Sequence, residues 1–375
     1  MKNNFLILIC TFLLLFCSGQ KLNLTFSPTI TSSNDTAVKT IAHLWENYLN
    51  AQYNDYLYSL MDPQYQRETN SIRNLYWYNN SDDLLNSQIE CFILFADFST
   101  ISIRKYSDII YEIHTLVQRN ESEEEGVTTM FLYKVCAIET DEGYKLLNYF
   151  DVYKHALQNY HSENIEFHYP CGFNFDTEKV KNTEKFIEQF QKDYKIEKIN
   201  DKIICIIGNN LTESNAFVGF DFTFATSENK FAGYHLEPKT ILTCRQDHLH
   251  EFVHVLVKSS YPNICDILNE GIATYYGGTA GSDYVIHAHN LHKYLSSNTI
   301  DFSNSSLLWD IVIDDACLAY TVGAIIIDYT LKNYGTQKVI ELFSCKDYDD
   351  ILSKLAIKKD EVNAFFIQFI HDNLE

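Results

Sequence analysis

Asp247-His248-Leu249-His250-Glu251-Phe252-Val253-His254-Val255-Leu256-Val257 is the segment from which the remainder of the chain can be placed. His250 and His254 are four residues apart, so on an α-helix both imidazoles project from one face and can reach a common ion. Glu251 stands beside the first of them, where a carboxylate can take a proton from a water on that ion. Phe252, Val253, Leu256 and Val257 make the rest of the helix apolar. A histidine pair on so apolar a helix needs a partner. The competing reading is two core histidines satisfied by hydrogen bonds.

Catalytic zinc keeps three protein ligands and one open position, so a third ligand is required. Tyr261-Pro262 ends the first helix. Ile264, Ile267, Leu268, Ile272 and Tyr275 then recur at helical spacing until Gly277-Gly278 stops the run. Two antiparallel helices joined at residues 259–263 would return Glu270 to the histidines. The expected set for one Zn2+ ion is therefore His250, His254 and Glu270, with Asp266, one turn earlier, as the rival carboxylate.

Leu268-Asn269-Glu270-Gly271-x-Ala273 after His-Glu-x-x-His resembles the gluzincins, above all the zinc aminopeptidases and their peptidase-MA-like relatives. The resemblance implies that Glu270 is the third zinc ligand and Glu251 the general base. Tyr320-Thr321-Val322-Gly323-Ala324 is similar to the aminopeptidase helix start whose tyrosine hydroxyl supports the oxyanion, which implies that role for Tyr320; the plain alternative is a core tyrosine. The likeness covers about residues 165–375 and is specific only at these three motifs. Two features depart from the family. Fifteen residues separate His254 from Glu270, fewer than in the aminopeptidases. The stretch Phe231-Ala232-Gly233-Tyr234-His235-Leu236 stands where those enzymes carry a Gly-Ala-Met-Glu-Asn strand, and it has no carboxylate for a substrate amine. Endopeptidase action or another amide hydrolysis fits this better than strict aminopeptidase action.

At the start, Lys2 precedes an apolar run from Phe5 to Phe16 and then Cys17-Ser18-Gly19, which reads as a signal peptide over residues 1–19. The run is short for a membrane span, and no later stretch is long and apolar enough to be one. The expected product is exported, to a periplasm, cell envelope or medium. The formal net charge of −21 becomes −22 once Lys2 leaves. So acidic a chain is a poor partner for nucleic acid. Eight cysteines follow the leader with no Cys-x-x-Cys, which argues against a structural zinc ribbon; some could pair in an oxidising compartment.

The fold class expected is α+β in two domains, residues 20–157 and 165–375. In the first, a helix over 36–60 carries Val38, Ile41, Leu44, Trp45, Tyr48 and Leu49 on one stripe. Strand-like runs follow at 90–98, 106–117, 128–138 and 145–152. That order is similar to the cone-shaped fold of the SnoaL and nuclear-transport-factor class. In the second domain a helix runs from Asp176 to Tyr194. Strands are expected at 202–208, 216–224, 230–236 and 240–244, with 230–236 as the edge to which an extended peptide substrate adds. Then come the His250 helix and a helical lower lobe, with helices at 284–295, 305–311, 316–334, 337–343, 348–355 and 361–372. His287, His289 and His292 point in different directions on their helix and read as surface or packing residues. His248 can line the cleft without sharing the face of His250. The function this predicts is an exported zinc metallopeptidase acting on a peptide or protein. The alternative is a zincin-fold binding or scaffold protein of the cell envelope without useful turnover.

Overall fold

The computed structural model describes residues 22–59, 96–120, 126–199, 201–223, 233–236 and 239–374. The signal segment expected over 1–19 and most of the strand expected at 90–98 lie outside them. The chain is α+β and forms two compact units, Met1–His155 with Asn215–Thr226, and Ala156–Ser214 with Ser227–Glu375.

In the first unit, β1 (Leu24–Phe26), α1 (Pro28–Thr31) and α2 (Thr36–Ser59) precede a meander of β2 (Ala96–Lys105), β3 (Ile110–Asn120), β4 (Val127–Thr140) and β5 (Gly143–Asn148). β1 pairs parallel to β2, and the meander is antiparallel throughout. The α2 stripe of Ile41, Trp45, Tyr48 and Leu49 is buried, and the Trp45 indole donates to Thr115 Oγ1 at 2.9 Å. Three expectations change here. The first long strand runs to Lys105 with Phe98, Thr100 and Ile103 buried; a polar Thr100 inside and an apolar Ile101 outside mask the alternation. The run expected as a strand to residue 152 breaks after Asn148 into α3 (Tyr149–Tyr153). The strand expected at 216–224 is a helix, α5 (Leu211–Phe217), and then a short strand, β9 (Phe220–Thr223). Asn210 starts that helix, its Oδ1 accepting from the Glu213 amide at 2.9 Å. β9 pairs with β4, so this strand belongs to the first unit and not to the second domain.

The second unit begins at Ala156, ahead of the boundary expected at residue 165. Residues 158–169 form a hairpin of β6 (Gln158–His161) and β7 (Ile165–Tyr169), with Ile165 and Phe167 fully buried. α4 (Thr177–Tyr194) follows, capped by Asp176, whose side chain accepts from the Glu178 amide, and buries Val180, Ile187, Phe190 and Tyr194. β8 (Ile203–Ile207), β10 (Gly233–Leu236) and β11 (Thr240–Thr243) complete a mixed sheet of order β10-β11-β8-β7-β6. β8 is parallel to both neighbours and reads Ile-Ile-Cys-Ile-Ile because strands covered on both faces need no polar alternation. β10 is the edge, antiparallel to β11.

Helices then dominate: α6 (Leu249–Ser260), α7 (Asp266–Gly277), α8 (Tyr284–Leu295), α9 (Ser305–Asp310), α10 (Leu318–Tyr334), α11 (Thr336–Leu342), α12 (Tyr348–Lys354) and α13 (Val362–Leu374). A two-residue-stranded hairpin, β12 (Val312–Ile313) and β13 (Ala316–Cys317), joins α9 to α10. Residues 250–257 of α6 are all buried, so this helix runs through the middle of the unit. α7 and α10 cross at two glycines. A Cβ on Gly271 would lie 2.4 Å from the Gly323 carbonyl carbon, and one on Gly323 would lie 2.1 Å from the Ile267 oxygen. Among the described residues no helix is long and apolar enough to cross a membrane, and Cys136, Cys171, Cys205, Cys265, Cys317 and Cys345 carry free thiols.

Candidate metal centre

His250 and His254 lie one turn apart on α6, and their rings meet edge to face at 4.7 Å between centroids. α6 stops at Ser260, where the Tyr261 amide turns back to the Val257 carbonyl at 2.8 Å. The short link after it lets α7 run back beside α6. Glu270 thereby arrives with its Oε2 3.3 Å from His250 Nε2 and 3.5 Å from His254 Nε2. Among the described residues this is the group of three that could hold a metal ion, its ligand atoms all within 4.8 Å of one another. Asp266, the rival carboxylate, is exposed at the start of α7 and outside the group.

Two observations show that these residues suit an ion. A tetrahedral ion with bonds of about 2.0–2.1 Å keeps its ligand atoms about 3.3–3.4 Å apart, close to the 3.3 and 3.5 Å of Glu270 Oε2 from the two nitrogens. Charge-assisted hydrogen bonds would be shorter, about 2.7–2.9 Å, and Glu270 Oε2 is buried with no hydrogen-bond partner. The second concerns the far side of each ring. His250 Nδ1 donates to the Gly278 carbonyl at 2.7 Å, and His254 Nδ1 donates to Asn269 Oδ1 at 3.1 Å. With both Nδ1 protons placed, each ring turns Nε2 toward Glu270, the atom a neutral imidazole would offer to an ion. Gly277 allows the first of these bonds, since a Cβ there would lie 2.1 Å from the His250 amide nitrogen.

The electrostatics follow from the same closeness. Burial raises the Glu270 carboxyl, but the adjacent His254 and His250 outweigh it and hold the group well below the carboxylate range. Burial works against charge on His254, yet the Glu270 carboxylate lifts its pKa. The charge of Glu270 and then burial push the Tyr320 phenol well above its ordinary value, so it stays protonated. Tyr320 reaches the site from the first turn of α10, its ring 6.2 Å from that of His250 and inclined by 25°. Glu251 is buried beside His250 on α6.

The structure adds two residues to which the sequence gave no role, Asn269 and His235, and gives contacts to His248, which was expected only to line the cleft. Asn269, next to Glu270 on α7, is the buried acceptor for His254. His248, at the N-cap of α6, has its Nδ1 2.8 Å from Thr243 Oγ1 and its Nε2 4.0 Å from Glu251 Oε1; burial pushes its pKa down to about 4. His235, on the edge strand, places its ring 5.3 Å from that of His254. Asn269 was open to detection, since it adjoins Glu270 on the helix that returns along α6. The His235 contact comes only from tertiary packing. The three histidines of α8 do not assemble: His287 is buried with Nε2 2.8 Å from the Thr279 carbonyl, whereas His289 and His292 are exposed. No protein-family model matches this chain, and neither does any curated protein searched.

Proposed function

We propose that the chain is an exported zinc-dependent metallopeptidase of gluzincin type, acting on a peptide or protein substrate. The observation that carries this reading is the position of Glu270 Oε2 at 3.3 and 3.5 Å from two imidazole nitrogens whose other protons are already placed. His250, His254 and Glu270 would hold one zinc ion. When bound there, zinc supplies Lewis acidity and brings the pKa of a coordinated water toward about 7. Glu251 takes the proton of the attacking water and returns it to the leaving amine. The Tyr320 hydroxyl, held protonated, donates to the oxyanion that develops on the scissile carbonyl. Asn269 and the Gly278 carbonyl keep the two imidazoles in the tautomer that binding requires. The edge strand β10 offers backbone to an extended peptide.

Glu251→Gln tests the reading, because it keeps the side chain's size and all three ligands. With zinc content unchanged, cleavage of any peptide that wild type cuts should slow by at least ~100-fold, and a chelator should abolish the wild-type rate. Equal rates in wild type and variant contradict the mechanism. No cleavage by zinc-loaded wild type across a broad peptide library favours a binding protein built on the same fold.

A further inference from the structure

Tyr320 is in ring contact on two sides. One face lies toward His250. The other neighbour is Trp309, whose ring stands edge-on to Tyr320 at 6.1 Å and 82°. Trp309 keeps 39% of its surface in water although it sits two rings from a candidate metal ligand. Scattered exposed apolar residues are ordinary on protein surfaces; this one is continuous with the reactive centre.

The backbone that carries the ring is also held in place. Leu308, its neighbour on α9, is fully buried and anchors the helix. The Cys317 thiol, at the start of α10, donates to the Leu308 and Trp309 carbonyls at 3.6 Å each. The Leu318 amide donates to the Ile311 carbonyl at 2.8 Å. These bonds tie the chain on both sides of Trp309 to the turn of α10 that carries Tyr320. A water-exposed indole on so fixed a backbone, with its edge against Tyr320, costs little ordering when a ligand meets it, which is what an apolar subsite requires.

We propose that Trp309 is the wall of a specificity subsite that takes an aromatic or long aliphatic side chain from the peptide residue flanking the scissile bond. The inference rests on the hydrolase reading and names its substrate class. An extended peptide advances about 3.3–3.6 Å per residue. A carbonyl served by the Tyr320 hydroxyl therefore leaves the adjoining side chain within reach of a ring 6.1 Å from that of Tyr320. Asp310, Asp314 and Asp315 are exposed nearby in sequence and disfavour an acidic side chain there.

The experiment uses the full zinc-loaded protein and a library of randomised decapeptides whose products are sequenced by mass spectrometry. Phe, Tyr, Leu or Met should be enriched at one position beside the cut. For a peptide with Phe at that position, Trp309→Ala should lower kcat/KM about tenfold or more. For its Ala counterpart the change should be under about threefold, and Trp309→Phe should restore most of the loss. Enrichment of Lys or Arg, or an equal loss on both peptides, overturns the subsite. Cleavage that is indifferent to Glu251→Gln overturns the hydrolase mechanism and leaves the subsite result to stand or fall alone. A binding measurement covers the case of no cleavage: phenylalanyl and alanyl peptide hydroxamates titrated calorimetrically into zinc-loaded protein. The phenylalanyl compound should bind at least about tenfold tighter to wild type, and the difference should collapse in Trp309→Ala. Equal affinities in wild type overturn the inference.

Discussion

Asn269 and the Gly278 carbonyl do the same work for different histidines, each fixing a ring by its Nδ1 proton. Only one of them is a side chain, so only one can be removed by substitution. Asn269→Ala should weaken zinc binding about 10–100-fold while leaving all three ligands in place; competition against a chromophoric chelator measures it, and unchanged affinity would mean that the bond to His254 is incidental. Tyr320→Phe should lower turnover by about 10–100-fold at full zinc occupancy, since zinc would still serve the oxyanion. Residues fixed by helical spacing could be read from the sequence: His250, Glu251 and His254 share one helix, and Glu270 needed only a tight return. His235 could not. Its position beside His254 depends on where the edge strand lies, which no local pattern encodes.

Between elements, the decisive contact is the crossing of α7 and α10, where Gly271 and Gly323 bring two backbones together. Each glycine is within one turn of a proposed active residue, Glu270 on one helix and Tyr320 on the other. Gly323→Ala forces the helices apart and should cost about 1–3 kcal/mol of stability, as overpacking does, read from urea unfolding. The same variant should bind zinc more weakly; native stability with native affinity would show that the crossing has slack. The helices of this unit were legible because each carries an apolar stripe at 3.6-residue period and a clear stop. The sheets were less so. β2 hides its alternation because Thr100 is polar yet buried and Ile101 apolar yet exposed, and β6, Gln-Asn-Tyr-His, is too short and polar to read as a strand. β9 was placed in the wrong unit because strand pairing across more than eighty residues leaves no mark on the strand itself.

For the molecule as a whole, metal and fold should be linked in only one of the two units. A ligand at 100 times its Kd adds about 2.7 kcal/mol to the state that binds it. For a unit of roughly 200 residues this amounts to about 5–10 °C in Tm. A calorimetric scan with and without chelator should move the transition of the second unit by that amount and leave the first in place; a shift of both, or of neither, speaks against a site confined to α6 and α7. The acidic charge of −21 contributes to solubility rather than to this linkage. The central claim is that His250, His254 and Glu270 together hold one zinc, and elemental analysis of the purified chain tests it most directly. Wild type, Glu251→Gln and Asp266→Ala should each carry one zinc per chain after dialysis, and Glu270→Ala should lose most of it while its circular dichroism remains native. A folded wild type that takes up no zinc, or a Glu270→Ala variant that keeps a full equivalent, would contradict the account.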